Sequence, residues 1–413
     1  SPRLQKLEHC IIMRKLIIIA PALSRSGYGE QARFAIRSLK SAKKYDLYLY
    51  NIEWGTSSWI SHDDPERGYI DSLIEKTTSL PEDFRADVSL QVTIPNEFKV
   101  YSPVNIGYTA GIETDRVDES WVFSSNMLDG LIVPSQHSLS AFEAASGESN
   151  PLTVKPKVVN FPYRSLQSTS SQCESEVLAS LKPSLRKYNF LTVAQVSPRK
   201  NIFNLIKWFL KSQANNDQVS LTLKLHKRNC STIDKFETVS SISSFVSEIA
   251  PNKRCAVNLL HGDLSQEDMS HLYNSGSFTH YITTSHGEGF GLPIFEAAGA
   301  GMIIVAPAWS GQVDYLAPGG NTRESLFVPI PHTLKEVQPR AVWPGVINAE
   351  SNWAHISEKD FCKSLKYSID NYRYCAPRAK KLSTLIKKRF SEKKQSFMFN
   401  QMIDQFIKNK EKK

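Results

Sequence analysis

Cysteine is scarce and unpatterned in this sequence. Six residues in 413, at Cys10, Cys173, Cys230, Cys255, Cys362 and Cys375, form no C-x-x-C pair and have no histidine at a partnering spacing. The spacing therefore excludes a zinc finger or ribbon and a dense disulfide framework, so no metal site is expected. It points instead to a reducing compartment, and the protein reads as cytoplasmic. Long apolar runs are also missing. The longest, LIIIAPAL at 16 to 23, follows the basic MRK and has the look of a signal core. It runs directly into SRSGYGEQAR with no small-residue cleavage pattern, and it is far shorter than the roughly 20 residues of a membrane-spanning helix. It reads as a buried strand. Low-complexity tracts and short-period repeats are absent as well, which excludes solenoids and arrays. The chain opens SPRLQKLEHCII, and Met13 stands just before the first strong strand, so the first dozen residues read as a remnant of processing or of expression.

What is present is a large globular composition. With 413 residues, 41% of them hydrophobic, the chain exceeds what one core usually serves, so two domains are expected. A net charge of +9 implies attraction to something negative: nucleic acid, anionic lipid or a phosphorylated small molecule.

Strand and helix patterns alternate along the chain. KLIIIA (15–20) is a continuous apolar run, SRSGYG a glycine turn, and EQARFAIRSLKSAKK a helix with Ala32, Phe34, Ala35 and Leu39 at helical spacing. Further strands are expected at 45–52, 86–94, 104–112, 129–135 and 154–163, with a helix in SLSAFEAAS. The text turns polar from Arg164 to Lys187, and a second series follows. It has strands at 189–197, 219–226, 255–262, 280–285 and 301–307, a helix at 201–213, and a Ser-capped helix at 265–276 with Asp268 three residues after the cap. From about Glu358 the text is helical and increasingly basic, and its last residues read as frayed. Such alternation predicts parallel, doubly wound sheets. The expected division is a Rossmann-like first domain (1–165), a linker (166–188), a Rossmann-like second domain (189–375) and a C-terminal helical segment (376–413) that packs back on the first domain.

Between two of these strands lies HGEGFGLPIFEAAGAG (286–301), with Glu288 among three glycines and Glu296 eight positions on. The pattern puts Gly287 to Gly291 at the carboxyl end of a strand and Pro293 in the first turn of a helix, where its missing N–H costs nothing. Free amides at that end suit an anion, and two carboxylates suit neighbouring hydroxyls, so a molecule with both, such as a nucleotide sugar, uses every feature. A plain strand-to-helix turn with a dipole-stabilised glutamate is the alternative.

The run HGEGFGLPIFEAAGAGMIIVAPAWSGQVDYL resembles the signature of the retaining GT-B glycosyltransferases of family four, a Glu, seven residues and a second Glu. FLTVAQVSPRKNIFNLIKWF, LIVPSQHSLSAF and SGYGEQAR resemble the same family's other segments, so the resemblance runs from about residue 14 to 320. It implies a GT-B fold, two Rossmann-like domains facing a cleft. It also implies transfer of a sugar from a UDP- or GDP-linked donor to a hydroxyl of a glycan or glycoconjugate, with no cofactor and no metal. By the same resemblance Glu288 contacts the transferred sugar, Glu296 the ribose, and the Gly289, Phe290, Gly291 and Leu292 backbone the sugar or diphosphate. Lys200 neutralises the leaving diphosphate. The family's usual arginine falls at Gln195, a departure for which Arg199 is the stand-in, and Asp63 and Asp64 are adjacent rather than in Asp-x-Asp spacing. Gly27 and Gly29 would approach the diphosphate or acceptor, or form a simple turn. Glu113, in GYTAGIETDRVDESW, is a cleft candidate where many members carry a histidine. His137 is a second cleft candidate or a helix-cap residue, and Trp54 and Trp59 are either an acceptor platform or core.

Rival readings are weaker. A nucleic-acid-binding protein is motivated by charge alone, without zinc spacing or aromatic–basic interleaving, so no nucleic acid partner is expected. A dinucleotide oxidoreductase is disfavoured because SRSGYG lacks the third glycine, position 32 being Ala. A non-catalytic GT-B sugar-nucleotide or glycan-binding protein, or a GT-B epimerase or phosphorylase, is the remaining alternative. The basic stretch at 380–394 is compatible with peripheral contact to an anionic membrane, or is a solvated helix face.

Overall fold

Strands and helices alternate through most of the molecule, and the strands collect into two six-stranded sheets with all neighbours parallel. The structure, a computed structural model, describes residues 13–164, 175–318 and 325–412. The first sheet comprises β1 (Arg14–Ala20), β2 (Tyr45–Asn51), β3 (Val88–Gln91), β4 (Val104–Tyr108), β5 (Gly130–Val133) and β6 (Lys157–Val158), in the order β2-β1-β3-β4-β5-β6. Its helices are α1 (Gly27–Ala42), α2 (Arg67–Thr78), α3 (Glu119–Asn126) and α4 (Gln136–Ala145). After α5 (Glu176–Leu181) the second sheet follows, with β7 (Tyr188–Gln195), β8 (Val219–His226), β9 (Ala256–His261), β10 (His280–Ile282), β11 (Ile303–Pro307) and β12 (Val328–Ile330) in the order β12-β11-β10-β7-β8-β9. Its helices are α6 (Ile202–Gln213), α7 (Thr232–Ile249), α8 (Gln266–Asn274), α9 (Leu292–Ala300) and α10 (Val313–Leu316). An antiparallel hairpin, β13 (Thr333–Glu336) with β14 (Asn352–His355), precedes α11 (Glu358–Asp370), α12 (Tyr372–Arg389) and α13 (Glu392–Glu411).

Each sheet is buried on both faces, which is why its central strands read as continuous apolar runs rather than alternating ones. In the first, Leu16 and Ile18 of β1 lie beside Leu47 and Leu49 of β2 on one side and Val88 and Leu90 of β3 on the other, all at 5% exposure or less. The second core is built on Phe190, Leu221, Leu223, Ile282 and Val305.

The chain passes between the sheets twice. The first passage follows β6. The second joins α12, which packs on α9, to α13, whose Phe399, Ile403, Phe406 and Ile407 complete the first core. The two passages lie side by side, the Tyr163 amide donating to the Phe390 carbonyl at 2.7 Å.

Several sequence expectations change here. Of the 154–163 run, only Lys157 and Val158 pair with β5. The 104–112 strand stops at Tyr108, because Thr109 to Ile112 leave the sheet toward the second domain. Residues 166–174 of the expected linker, with Cys173, lie outside the described residues, as do residue 165 and residues 1–12 with Cys10. The rest of the linker is not extended. It carries α5, whose Leu178 and Leu181 are buried against the second domain. Helices α2, α3, α7 and α10, strand β12 and the β13–β14 hairpin are absent from the sequence expectations. The Ser- and Thr-rich α7 hides its helical period, since its inward residues Asp234, Thr238, Ile242 and Val246 are half polar. The chain end is helical to Glu411, which pairs with Arg14 at 2.6 Å, so the expected fraying does not reach it. The four described cysteines are free thiols.

Phe399 sets its ring against Phe34 and Tyr108, with centroids 5.7 and 5.3 Å apart. Phe399→Ala is expected to cost about 3–5 kcal/mol, read as a lower urea midpoint. A loss below about 1 kcal/mol would mean that α13 does not hold the first domain.

Candidate active site

The loops leaving the carboxyl ends of the first-sheet strands meet those leaving the second, which is where open α/β sheets bind ligands. Three contacts mark the outer part of this meeting. Arg25 donates to the Leu264 carbonyl at 3.0 Å, Ser58 to Asp263 at 2.5 Å, and Gln266 to Asp64 at 2.9 Å. Deeper in, the 286–291 loop after β10 is held against residues 110–115 after β4.

Glu288 is the centre of this region. It is 6% exposed, and Lys200 Nζ donates to its Oε1 at 2.5 Å while Arg199 Nη1 donates to its Oε2 at 2.9 Å. Arg199 also donates to the Gly287 carbonyl at 2.8 Å and reaches Glu113 Oε1 at 3.3 Å. Burial pushes the Glu288 carboxyl up, but Lys200 and Arg199 outweigh it and hold the group at about 2. Burial lowers the Lys200 ammonium despite its partner, whereas for Arg199 the Glu113 and Glu288 charges overcome burial and raise it. A fully ionised carboxylate with two cations is thus assembled where water is scarce.

The backbone holds these groups in place. Arg199 and Lys200 lie between β7 and α6, and Asn201, with φ 54°, turns the chain into the helix. Thr284 Oγ1 donates to the Asn201 carbonyl at 3.0 Å, and the His286 amide donates to the Arg199 carbonyl at 2.9 Å, so the two loops are tied together. The Glu288 amide donates to Ser310 Oγ at 2.9 Å, and its carbonyl accepts from the Gly311 amide at 2.9 Å. Gln195 points elsewhere, donating to the Lys227 carbonyl at 3.0 Å, and the guanidinium beside Glu288 is that of Arg199.

The glycines serve a different contact from the one expected. A Cβ on Gly287 would lie 2.0 Å from the Glu113 carbonyl oxygen, and one on Gly289 would lie 2.3 Å from that of Ala110. The close approach at these two positions is therefore made by the first domain's own backbone. The Gly289 carbonyl also accepts from Ser135 Oγ at 2.7 Å. Gly291, with φ 89°, caps α9 in the left-handed region. The Phe290 ring is core, packed with Phe161, Phe295 and Tyr315, and Leu292 is partly buried against the same cluster.

Glu296 lies one turn into α9, beside Tyr273 and, across the domain boundary, Glu30. Burial and the Glu30 charge push its carboxyl up to about 7, offset in part by the Tyr273 hydroxyl. Glu30 itself is held low, since Arg33, Arg37 and Arg164 outweigh its burial. Gly27 and Gly29 belong to the first turn of α1 rather than to a preceding loop. Gly27 is exposed, and the Gly29 amide donates to the cap residue Ser26 at 3.1 Å.

The remaining candidates separate. Glu113 joins the cluster through Arg199, but His137 does not. Ser135, not His137, caps α4, and the His137 ring lies edge-on to Trp309 at 4.5 Å behind the 309–311 turn. Trp54 leans on Tyr28 at 4.3 Å, while Trp59 is half exposed. Residues that sequence reasoning missed are His286, Ser310, Tyr273 and Glu30. His286 Nδ1 donates to the Ala354 carbonyl (2.6 Å) and its ring stacks on Trp353 at 4.9 Å, with burial lowering it to about 4. Its place at the head of HGEGFG was visible, but its partner lies in the unforeseen hairpin. Among the described residues, no group of three or more His, Cys, Asp or Glu is placed to hold a metal ion.

No protein-family model and no curated protein sequence matches this chain. Solved structures do. Sucrose-phosphate synthase (tll1590) from Thermosynechococcus elongatus superposes with a TM-score of 0.64 at 13% identity, covering 96% of this chain and 100% of that one. α,α-Trehalose 6-phosphate synthase from Burkholderia multivorans gives 0.62 at 10% identity, covering 95% and 96%. Anabaena Alr3699/HepE, in complex with UDP and glucose, gives 0.59 at 13% identity, covering 95% and 100%. At these identities the likeness is one of fold: the molecule has the GT-B architecture of two Rossmann-like domains.

Glu296 has a folded pKa above its usual 4.5, so its contribution falls away as pH rises from about 4.5 through about 7. Glu288, held below 4.5, contributes fully above that pH and less as pH falls toward about 2. Glu296→Gln should flatten the stability slope between pH 5 and about 7, measured by urea unfolding; a slope unchanged from the parent would contradict the assignment. Gly289→Ala, whose new Cβ meets backbone, should cost about 1–3 kcal/mol by the same method, and a neutral result would mean that the two loops do not touch.

Proposed function

We propose that this protein is a retaining glycosyltransferase that moves a sugar from a UDP- or GDP-linked donor to a hydroxyl of a glycan or glycoconjugate. The observation that carries this reading is the buried Glu288 between Lys200 and Arg199, at a strand-to-helix loop with Glu296 one helical turn on. In the resting site the two cations neutralise Glu288. A donor diphosphate offers them a second anionic partner, and transfer of their contacts to it would stabilise the charge that grows as the bond between the sugar C1 and the phosphate oxygen breaks. Glu288, released from that pairing, accepts hydrogen bonds from the sugar hydroxyls. Glu296, with its raised carboxyl, faces the ribose hydroxyls.

Retention follows if the acceptor oxygen attacks C1 on the face the diphosphate leaves. The acceptor's proton then passes to the departing phosphate oxygen, and no covalent protein nucleophile is required. No cofactor enters this reading, and charge compensation comes from Lys200 and Arg199. That HepE has been solved with UDP-glucose, and an E. coli trehalose-6-phosphate protein with UDP-2-fluoro glucose, supports a nucleotide sugar as the ligand class. Peripheral contact with an anionic membrane is part of the proposal, through exposed Lys387, Lys388, Lys393 and Lys394 beside exposed Phe397. Among the described residues no helix is long and apolar enough to cross a membrane.

The test is saturation-transfer NMR on the full chain with UDP- and GDP-linked sugars. One donor should give a signal that weakens at least tenfold in Glu296→Ala. With that donor, Lys200→Ala should slow transfer or donor hydrolysis by about 10²–10³-fold. Silence from every donor with a folded protein would sink the transferase reading and favour a GT-B protein that has kept only the fold.

A further inference from the structure

A cavity of about 880 Å³ is lined in part by Ala308, Trp309 and Ser310, and neither Lys200, Glu288 nor Glu296 lines it. Its walls come from both domains and from the returning helix: His137 and Asn160 from the first, Trp309 and Asp314 from the second, and Gln395 from α13. That volume is in the range of a site for a small organic ligand.

Three polar atoms on its lining residues stand out. Trp309 is 8% exposed and Gln395 3%, yet among the described residues neither the indole Nε1 nor the amide Oε1 has a hydrogen-bond partner, and His137 Nε2 has none either. Buried polar atoms are as a rule partnered. Here a donor and an acceptor are left over on two residues of the cavity wall, just beneath its surface.

We propose that this cavity is a second ligand site, separate from the Glu288 site, and that it takes a neutral saccharide of one or two rings. The charge around it disfavours an anion. Asp115 and Asp314 both line it, while Arg389, the one arginine of its lining, is exposed to solvent. Asp314 Oδ2 is already engaged by the Gln136 amide at 3.0 Å and Asn160 at 2.9 Å, and both Asp115 oxygens are engaged by Asn352. A phosphate would face these carboxylates, whereas sugar hydroxyls donate to them, and a small turn of the Trp309 or Gln395 side chain would bring its unpartnered atom to the ligand. Burial lowers His137 to about 4, so at neutral pH its ring adds no positive charge. Trp309, Val158, Phe390 and Met398 give the apolar surface that the C–H faces of a sugar ring need.

The site is physically joined to the motif. Ser310 and Gly311 follow Trp309 directly and hold the Glu288 amide and carbonyl. The binding claim does not depend on the transferase reading, since it concerns other residues and another ligand.

The experiment is saturation-transfer NMR and calorimetry on the full chain with glucose, galactose, sucrose and trehalose, and with glucose 6-phosphate and inorganic phosphate for comparison. At least one neutral saccharide should bind, with affinity reduced tenfold or more in Trp309→Phe, which keeps an aromatic face and removes the N–H. It should be abolished in Ser140→Trp, which fills the cavity from an exposed position on its wall and leaves the core intact. It should persist in Glu288→Gln. The proposal is overturned if none of the four saccharides binds, or if phosphate or glucose 6-phosphate binds tighter than the neutral sugars and loses that binding in Ser140→Trp. Binding lost in Glu288→Gln but unchanged in the two cavity variants would also overturn it.

Discussion

Glu288 keeps a full negative charge at 6% exposure because two cations reach it, and much of the molecule is arranged around that fact. An unpaired carboxylate in such a place would take up a proton, and either cation left alone there would carry a comparable desolvation cost. The trio is therefore interdependent. It requires the loop after β7 and the loop after β10 to stay in register, and the Thr284 and His286 hydrogen bonds supply that register. A buried ion pair adds little net stability compared with apolar packing, so its presence at the meeting of two domains reads more naturally as chemistry than as scaffolding.

The same trio couples the domains. Arg199 spans Glu288 on its own domain and Glu113 on the other, and the glycines on either side of Glu288 let the Glu113 and Ala110 carbonyls come within reach of backbone. Movement of the first domain away from the second would thus change the charge seen by Arg199. The crossings near Tyr163 and Phe390 are held close together, which leaves the outer contacts at Arg25, Ser58 and Asp64 as the ones that must separate for a large ligand to enter. Glu296 lies across the domain boundary from Glu30, whose charge helps to raise its carboxyl, while Glu30 itself is paired with Arg33 and Arg37.

Apart from the three-residue β12, the strands of both sheets and the position of the motif were legible in the sequence because each rests on a local signal: continuous apolar runs bounded by turns, and glycines followed by a helix with Pro293 in its first turn. The grouping of Arg199 and Lys200 with Glu288 became legible only through resemblance, since 88 residues separate Lys200 from Glu288 and no spacing rule links them. What stayed hidden was non-local. Gly287 and Gly289 read as room for a ligand, and only the structure shows a carbonyl of the other domain at each. Nothing in the text around His286 points to Trp353, because that partner lies on a short hairpin with weak strand propensity, TLKE and NWAH. His137 was visible as a polar residue at a helix start, but its neighbour Trp309 comes from the other domain.

On the proposed mechanism the two cations exchange Glu288 for the diphosphate of a donor. The most direct measurement is a crystal structure of the full chain soaked with UDP-glucose and, separately, GDP-glucose. The account predicts Lys200 Nζ and an Arg199 nitrogen within about 3 Å of phosphate oxygens, with the 2.5 Å contact between Lys200 and Glu288 lengthened or lost and Glu288 turned to the sugar hydroxyls. A nucleotide sugar bound in the cleft with the Lys200–Glu288 pair unchanged, and no phosphate near either cation, would contradict it.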